Sequence, residues 1–174
     1  MYTPTENEKT TPVMIYTQNT LIRGDVVTRQ SARVSVWLRT EGAPEFLHLL
    51  KPQVIFLNST PPHAVNYAEL YFPLNQVIAF HMTPPAKDPP DYEESEKNRV
   101  MHPITIQVGT FLFNGALRVS TQVDIGTSIA SNTRVAWLSL YEVKVSNPAL
   151  PQIGEMPVSM LLVRPAQVGF ALTS

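Results

Sequence analysis

The side chains best able to do chemistry in this chain are four histidines, fourteen carboxylates and thirteen lysines and arginines. A metal site on one element needs His, Asp or Glu at short regular spacing, and an activated nucleophile needs a base within reach. His48, His63, His81 and His102 are scattered, and none stands at ligand spacing from another His, Asp or Glu. The absence of cysteine excludes thiolate ligands, thiol nucleophiles and disulfides. No G-x-S-x-G elbow, H-E-x-x-H pair, Walker glycine loop or G-x-G-x-x-G is present. Paired carboxylates of the kind glycosidases use could converge in space, but Glu41 with Glu45 and Glu93 with Glu94 fall in stretches that read as loop and linker. The reading is therefore non-catalytic, with no cofactor and no metal.

One segment has the composition of a contact surface. In Arg33-Val34-Ser35-Val36-Trp37-Leu38-Arg39, alternation sends Val34, Val36 and Leu38 to a core. Arg33, Ser35, Trp37 and Arg39 then face outward, and arginine beside tryptophan is an interface composition. These four are the expected partner-binding residues. The strand is expected either to be covered by the second half of the chain, with Trp37 as core, or to meet a partner; among partners a protein or self-association is favoured, and stacking on the bases of a single-stranded nucleic acid is the alternative.

The elements that must position these residues read as strands. Runs over residues 13–17, 21–28, 32–38, 46–50, 53–57, 68–72 and 76–81 are rich in β-branched and aromatic residues, and no segment carries a helical stripe. Sliding the chain along itself by 91 residues sets Gly24 on Gly115, Leu21 on Leu112, Leu47 on Leu138, Leu49 on Leu140, Leu70 on Leu161 and Gln76-Val77 on Gln167-Val168. The expected fold is all-β: two tandem small β-barrel or β-roll units related by internal duplication, at 13–82 and 103–174. A disordered tail, 1–12, precedes them, and an acidic, proline-rich linker, 83–102, joins them. Gly24 and Gly115 fall inside strands, where glycine marks a bulge, a bend or a close backbone approach. In the linker, Glu93 and Glu94 ahead of Lys97 allow a short helix over 92–99. The stretch matching Arg33–Arg39, which is Asp124-Ile125-Gly126-Thr127-Ser128-Ile129-Ala130, keeps the core face and has neither the arginines nor the tryptophan.

Composition narrows the class. The formal net charge is −1 and only 16% of residues are charged, where a dedicated nucleic-acid binder carries a basic excess. The first nine residues have no basic region leading into an apolar run, and no later run approaches membrane-spanning length. A cytoplasmic location, without membrane contact, is expected.

The first half resembles a family of small bacterial domains of unknown function. The likeness rests on Tyr16-Thr17, Leu21-Ile22-Arg23-Gly24-Asp25-Val26, Arg33-Val34-Ser35 ahead of Leu38, and Phe46-Leu47-His48-Leu49. Val36 and Arg39 stand where that pattern has aspartate and asparagine, and the second half keeps Leu112-Phe113-Asn114-Gly115 and Trp137-Leu138-Ser139-Leu140 without the Arg-x-Ser. The strand order is also similar to that of Sm-like small barrels, although the asparagine and Arg-Gly pair with which those contact RNA are not visible. The resemblance implies no activity. The expected function is a non-catalytic structural or protein-interaction module of the bacterial cytoplasm. An Sm-like single-stranded RNA binder is the alternative, and a small-molecule or carbohydrate-processing enzyme the third reading.

Overall fold

A computed structural model describes residues 2–172, so Met1, Thr173 and Ser174, at the ends of the expected tail and second unit, lie outside the described residues. The chain is all-β in character, with two short α-helices, and divides between Ala86 and Lys87 into two compact units.

In the first unit, strands β1 (Glu8–Tyr16) and β2 (Thr20–Arg29) form a hairpin, and α1 (Val34–Trp37) leads into β3 (Phe46–Phe56). β4 (His63–Asn66) and β5 (Glu69–Pro73) both pair antiparallel with β3, and β6 (Ala79–Met82) returns to β1. Alternation holds along these strands. Leu47 and Leu49 of β3 and Val13 and Ile15 of β1 are fully buried, while Phe46, His48 and Leu50 point to the other face. The strand begins at Glu8, so residues 8–12 are ladder rather than tail.

The second unit repeats the order. β7 (Arg99–Val108) and β8 (Phe111–Ser120) form a hairpin, α2 (Ile125–Asn132) follows, β9 (Leu138–Ser146) pairs with both β8 and β10 (Met156–Val163), and β11 (Gly169–Ala171) returns to β7. Phe111, Phe113, Ile106, Leu117, Leu140 and Leu161 are its most buried large side chains. Registers agree at the 91-residue spacing: Leu49 faces Leu70 and Leu140 faces Leu161, and a 3-10 turn stands at Leu74–Gln76 and at Pro165–Gln167.

Two expectations are corrected here. No barrel closes: within each unit the ladder is an open antiparallel sheet, since β5 does not pair with β6, nor β10 with β11. The reason is local. Pro73 lacks an N–H, and the 3-10 turn after it lifts the chain out of the ladder before β6 begins. Nor is 32–38 a strand. Val34 and Leu38, each 3% exposed, sit four residues apart on one side of a helical turn, so Val36, expected in the core, is 49% exposed. Ile125–Asn132 of the matching stretch is likewise helical, because the Asp124 carboxylate caps it, accepting the Thr127 N–H at 2.9 Å and its hydroxyl at 2.6 Å. These bonds, the hydroxyl's first, hold the Asp124 carboxyl below its ordinary pKa. Arg33, at the matching cap position, offers no acceptor, and α1 is a single turn.

At each glycine the sheet bends. Lys51 and Pro52 oppose the single Gly24, and Glu142 and Val143 oppose Gly115, which makes each a bulge. Lys51 and Glu142 take left-handed backbone, φ 46° and 50°. A Cβ at Gly115 would lie 2.9 Å from the Val143 Cγ2 and 3.0 Å from the Tyr141 carbonyl oxygen; one at Gly24 would lie 3.1 Å from Pro52.

Candidate surface for a partner

The residues the sequence singles out do not form one face. Arg33 and Arg39 are exposed at the two ends of α1, Trp37 is half-buried, and Ser35 is 2% exposed with a hydroxyl that has no hydrogen-bond partner. Ser35 is therefore removed from any contact surface. The helical turn points consecutive residues in four directions where a strand would point them in two.

A different surface emerges from the β3–β5 ladder. Phe46 pairs with Pro73, His48 with Tyr71 and Leu50 with Glu69, and residues directly opposite share a face. Phe46 and Tyr71 are 51% and 58% exposed. The His48 ring stacks on Tyr71, centroids 4.4 Å apart and 8° from parallel, and takes the edge of Tyr2 at 4.6 Å. His48 Nε2 lies 3.2 Å from a Glu69 carboxylate oxygen. The Tyr2 N–H donates to the other Glu69 oxygen at 2.6 Å, and its hydroxyl donates to Glu8 at 2.7 Å. The Thr5 N–H and then the Tyr2 hydroxyl hold the Glu8 carboxyl below its usual range, and the Tyr2 N–H does the same for Glu69. The bond to Glu8 raises the phenol pKa of Tyr2. Glu45, beside Phe46, is exposed as well. The face is aromatic and carboxylate-rich, and β5 pairs with β3 along one edge while its other edge carries no strand among the described residues.

The chain matches no family model, no curated protein and no solved structure.

Other reactive groups are engaged in structure. His81, 1% exposed, donates from Nδ1 to the Met82 carbonyl at 2.7 Å, and its Nε2 accepts the Tyr16 hydroxyl at 2.7 Å. Burial pushes the His81 pKa down to about 4 and the Tyr16 phenol far up, so this pair is neutral. An open cleft of about 320 Å³ at the first bulge is lined by Arg23, Asp25, Lys51 and Gln53. No group of three or more His, Cys, Asp or Glu among the described residues could hold a metal ion, and no described helix is long and apolar enough to cross a membrane.

The matching face of the second unit is covered. Trp137, matching Phe46, is 9% exposed, with the Arg164 guanidinium 4.3 Å from its ring centroid. Ser139 and Tyr141 donate hydroxyls to Asp91 at 2.8 and 2.5 Å, and Tyr92 sets its ring edge-on to Tyr141. Arg118 holds Glu96 at 2.5 Å, the Glu93 carbonyl at 2.9 Å and the Tyr92 ring at 4.4 Å. Residues 87–98 thus form no helix over 92–99; their side chains and carbonyls are tied to β8 and β9. The sequence signal for this strap was the tyrosine between Pro-Pro and the glutamates, opposite an isolated arginine, a pairing visible only once β8 and β9 are placed.

Proposed function

We propose that the protein is a non-catalytic interaction module, and that its contact surface is the Phe46–His48–Tyr71 face of the first unit. The carrying observation is the exposure of Phe46 on β3 and of Tyr71 on the adjoining β5, whose outer edge carries no strand among the described residues, when the equivalent face of the second unit is covered. Exposed aromatic residues grouped on a rigid element are typical anchors of protein interfaces. Glu8, Glu45 and Glu69 around them disfavour a phosphate backbone, which supports a protein partner over RNA. Arg33 and Arg39 supply a second, cationic margin on the same unit.

The two units are further proposed to descend from one duplicated ancestor. The bulge, the left-handed residue opposite it, the short helix and the 3-10 turn all recur at one spacing, which supports that descent. A bacterial cytoplasmic home remains part of the proposal.

The test is affinity purification of the tagged protein from its native cells, with and without ribonuclease, alongside a Phe46→Ser/Tyr71→Ser variant. Protein partners that survive ribonuclease and disappear with the variant are expected. RNA that co-purifies and is lost with the nuclease would replace this reading with the Sm-like one.

A further inference from the structure

The second unit shows what its β3-like face accepts. The segment lying on Ser139 and Tyr141 runs without helix or strand through Pro89-Pro90 into Asp91 and Tyr92. A trans Pro-Pro step such as Pro89-Pro90 favours an extended, low-entropy backbone, the form in which aromatic grooves take proline-rich segments. Asp88 is buried, and its carbonyl accepts the Ser159 hydroxyl at 3.3 Å, so the contact continues onto β10.

The first unit presents the same positions with altered charge. His48 stands for Ser139 and Leu50 for Tyr141, which removes both hydroxyl donors to Asp91. Val27 stands for Arg118, which removes the cation that holds Glu96. Glu69 stands for Met160, and Glu45 flanks the rings. The ladder register is retained and the preferred sign is reversed: an acidic strap has lost its partners here, and a cationic side chain gains carboxylates beside a stacked Tyr71.

We propose that the Phe46–His48–Tyr71 face binds an extended, proline-rich segment bearing arginine or lysine on a partner protein. The proposal rests on the interaction-module reading. Pyrrolidine rings pack against Phe46 and Tyr71, and a guanidinium lies over the open face of Tyr71 within reach of Glu69, where cation–π and ionic attraction act together.

The experiment titrates the isotope-labelled full chain with three short synthetic peptides: one with two Pro-Pro steps and several arginines, the same with glutamates for arginines, and the basic one with glycines for prolines. Amide shifts confined to residues 45–50 and 69–73 are expected with the basic proline peptide. The acidic peptide should bind at least about tenfold more weakly, Tyr71→Ser should cost about tenfold, and Glu69→Gln about threefold. Equal binding of the acidic or glycine peptide, or shifts located elsewhere, would overturn the proposal. In parallel, a photo-crosslinking residue is placed at position 71 in the native cell. A protein crosslinked there while all three peptides stay silent would reject the proline-rich, basic class and leave the contact face standing. Silence in both arms would remove both.

Discussion

The two units share a ladder and differ in what lies on it. In the second, the outer face of β9 is closed by Asp91, Tyr92, Arg118 and Arg164, leaving Trp137 nearly buried. In the first, the same positions hold Phe46 and His48, and Tyr2 from the N-terminal segment sets its ring against His48. Folding thus tolerates both arrangements. The bend at the glycine is common to both units and belongs to the fold; the exposed aromatic stack occurs in one, and the contact proposed for it is no requirement of the ladder.

The comparison breaks most readily at the bends. Gly115→Ala forces a Cβ into Val143 and a backbone carbonyl, so it should destabilise the second unit by about 3 kcal/mol, and Gly24→Ala, meeting Pro52 less closely, should cost about 1 kcal/mol. Denaturant melts of both variants would show equal losses if the two bends were packed alike. Acid separates the units next. His81 is held neutral in the fold with a pKa of about 4, below its ordinary 6.5, so the unfolded chain takes up the proton first. Stability contributed by this group is full above pH 6.5 and falls by roughly 1.4 kcal/mol per pH unit down to about 4. Melts over this range should lose that slope in His81→Gln; an unchanged slope would place the acid sensitivity elsewhere. Asp91→Ala should cost about 1 kcal/mol through the two hydroxyl bonds and raise the solvent exposure of Tyr141, read by tyrosine quenching. The smallest effect is at the cap: Asp124→Ala should shorten α2 and reduce helical circular dichroism slightly, with the ladder signals of β8 and β9 unmoved.

Much of the frame was legible. Alternation along β1, β2 and β3 and the glycines within strands announced an all-β chain that bends at Gly24 and Gly115, because period-two burial and the lack of a Cβ act locally. The helical turns were not, since Val34 and Leu38 satisfy alternation and helical spacing equally, and only the chain's need to turn between β2 and β3 decides. Asp124 three residues before Thr127 is a readable helix start that strand-rich surroundings obscured. The proposed contact face was harder still: His48, Tyr71 and Tyr2 are distant in sequence, and their meeting depends on β5 pairing with β3 in one register.

The strap also alters where the second unit can be cut free. Secondary structure alone would place the cut just before β7, at Arg99, yet Asp88, Asp91, Tyr92 and Glu96 hold β8, β9 and β10 through their own bonds. A protease nick in 87–98 would loosen the bonds from Asp91 to Ser139 and Tyr141 and from Glu96 to Arg118, so the second unit is cut free whole ahead of Lys87.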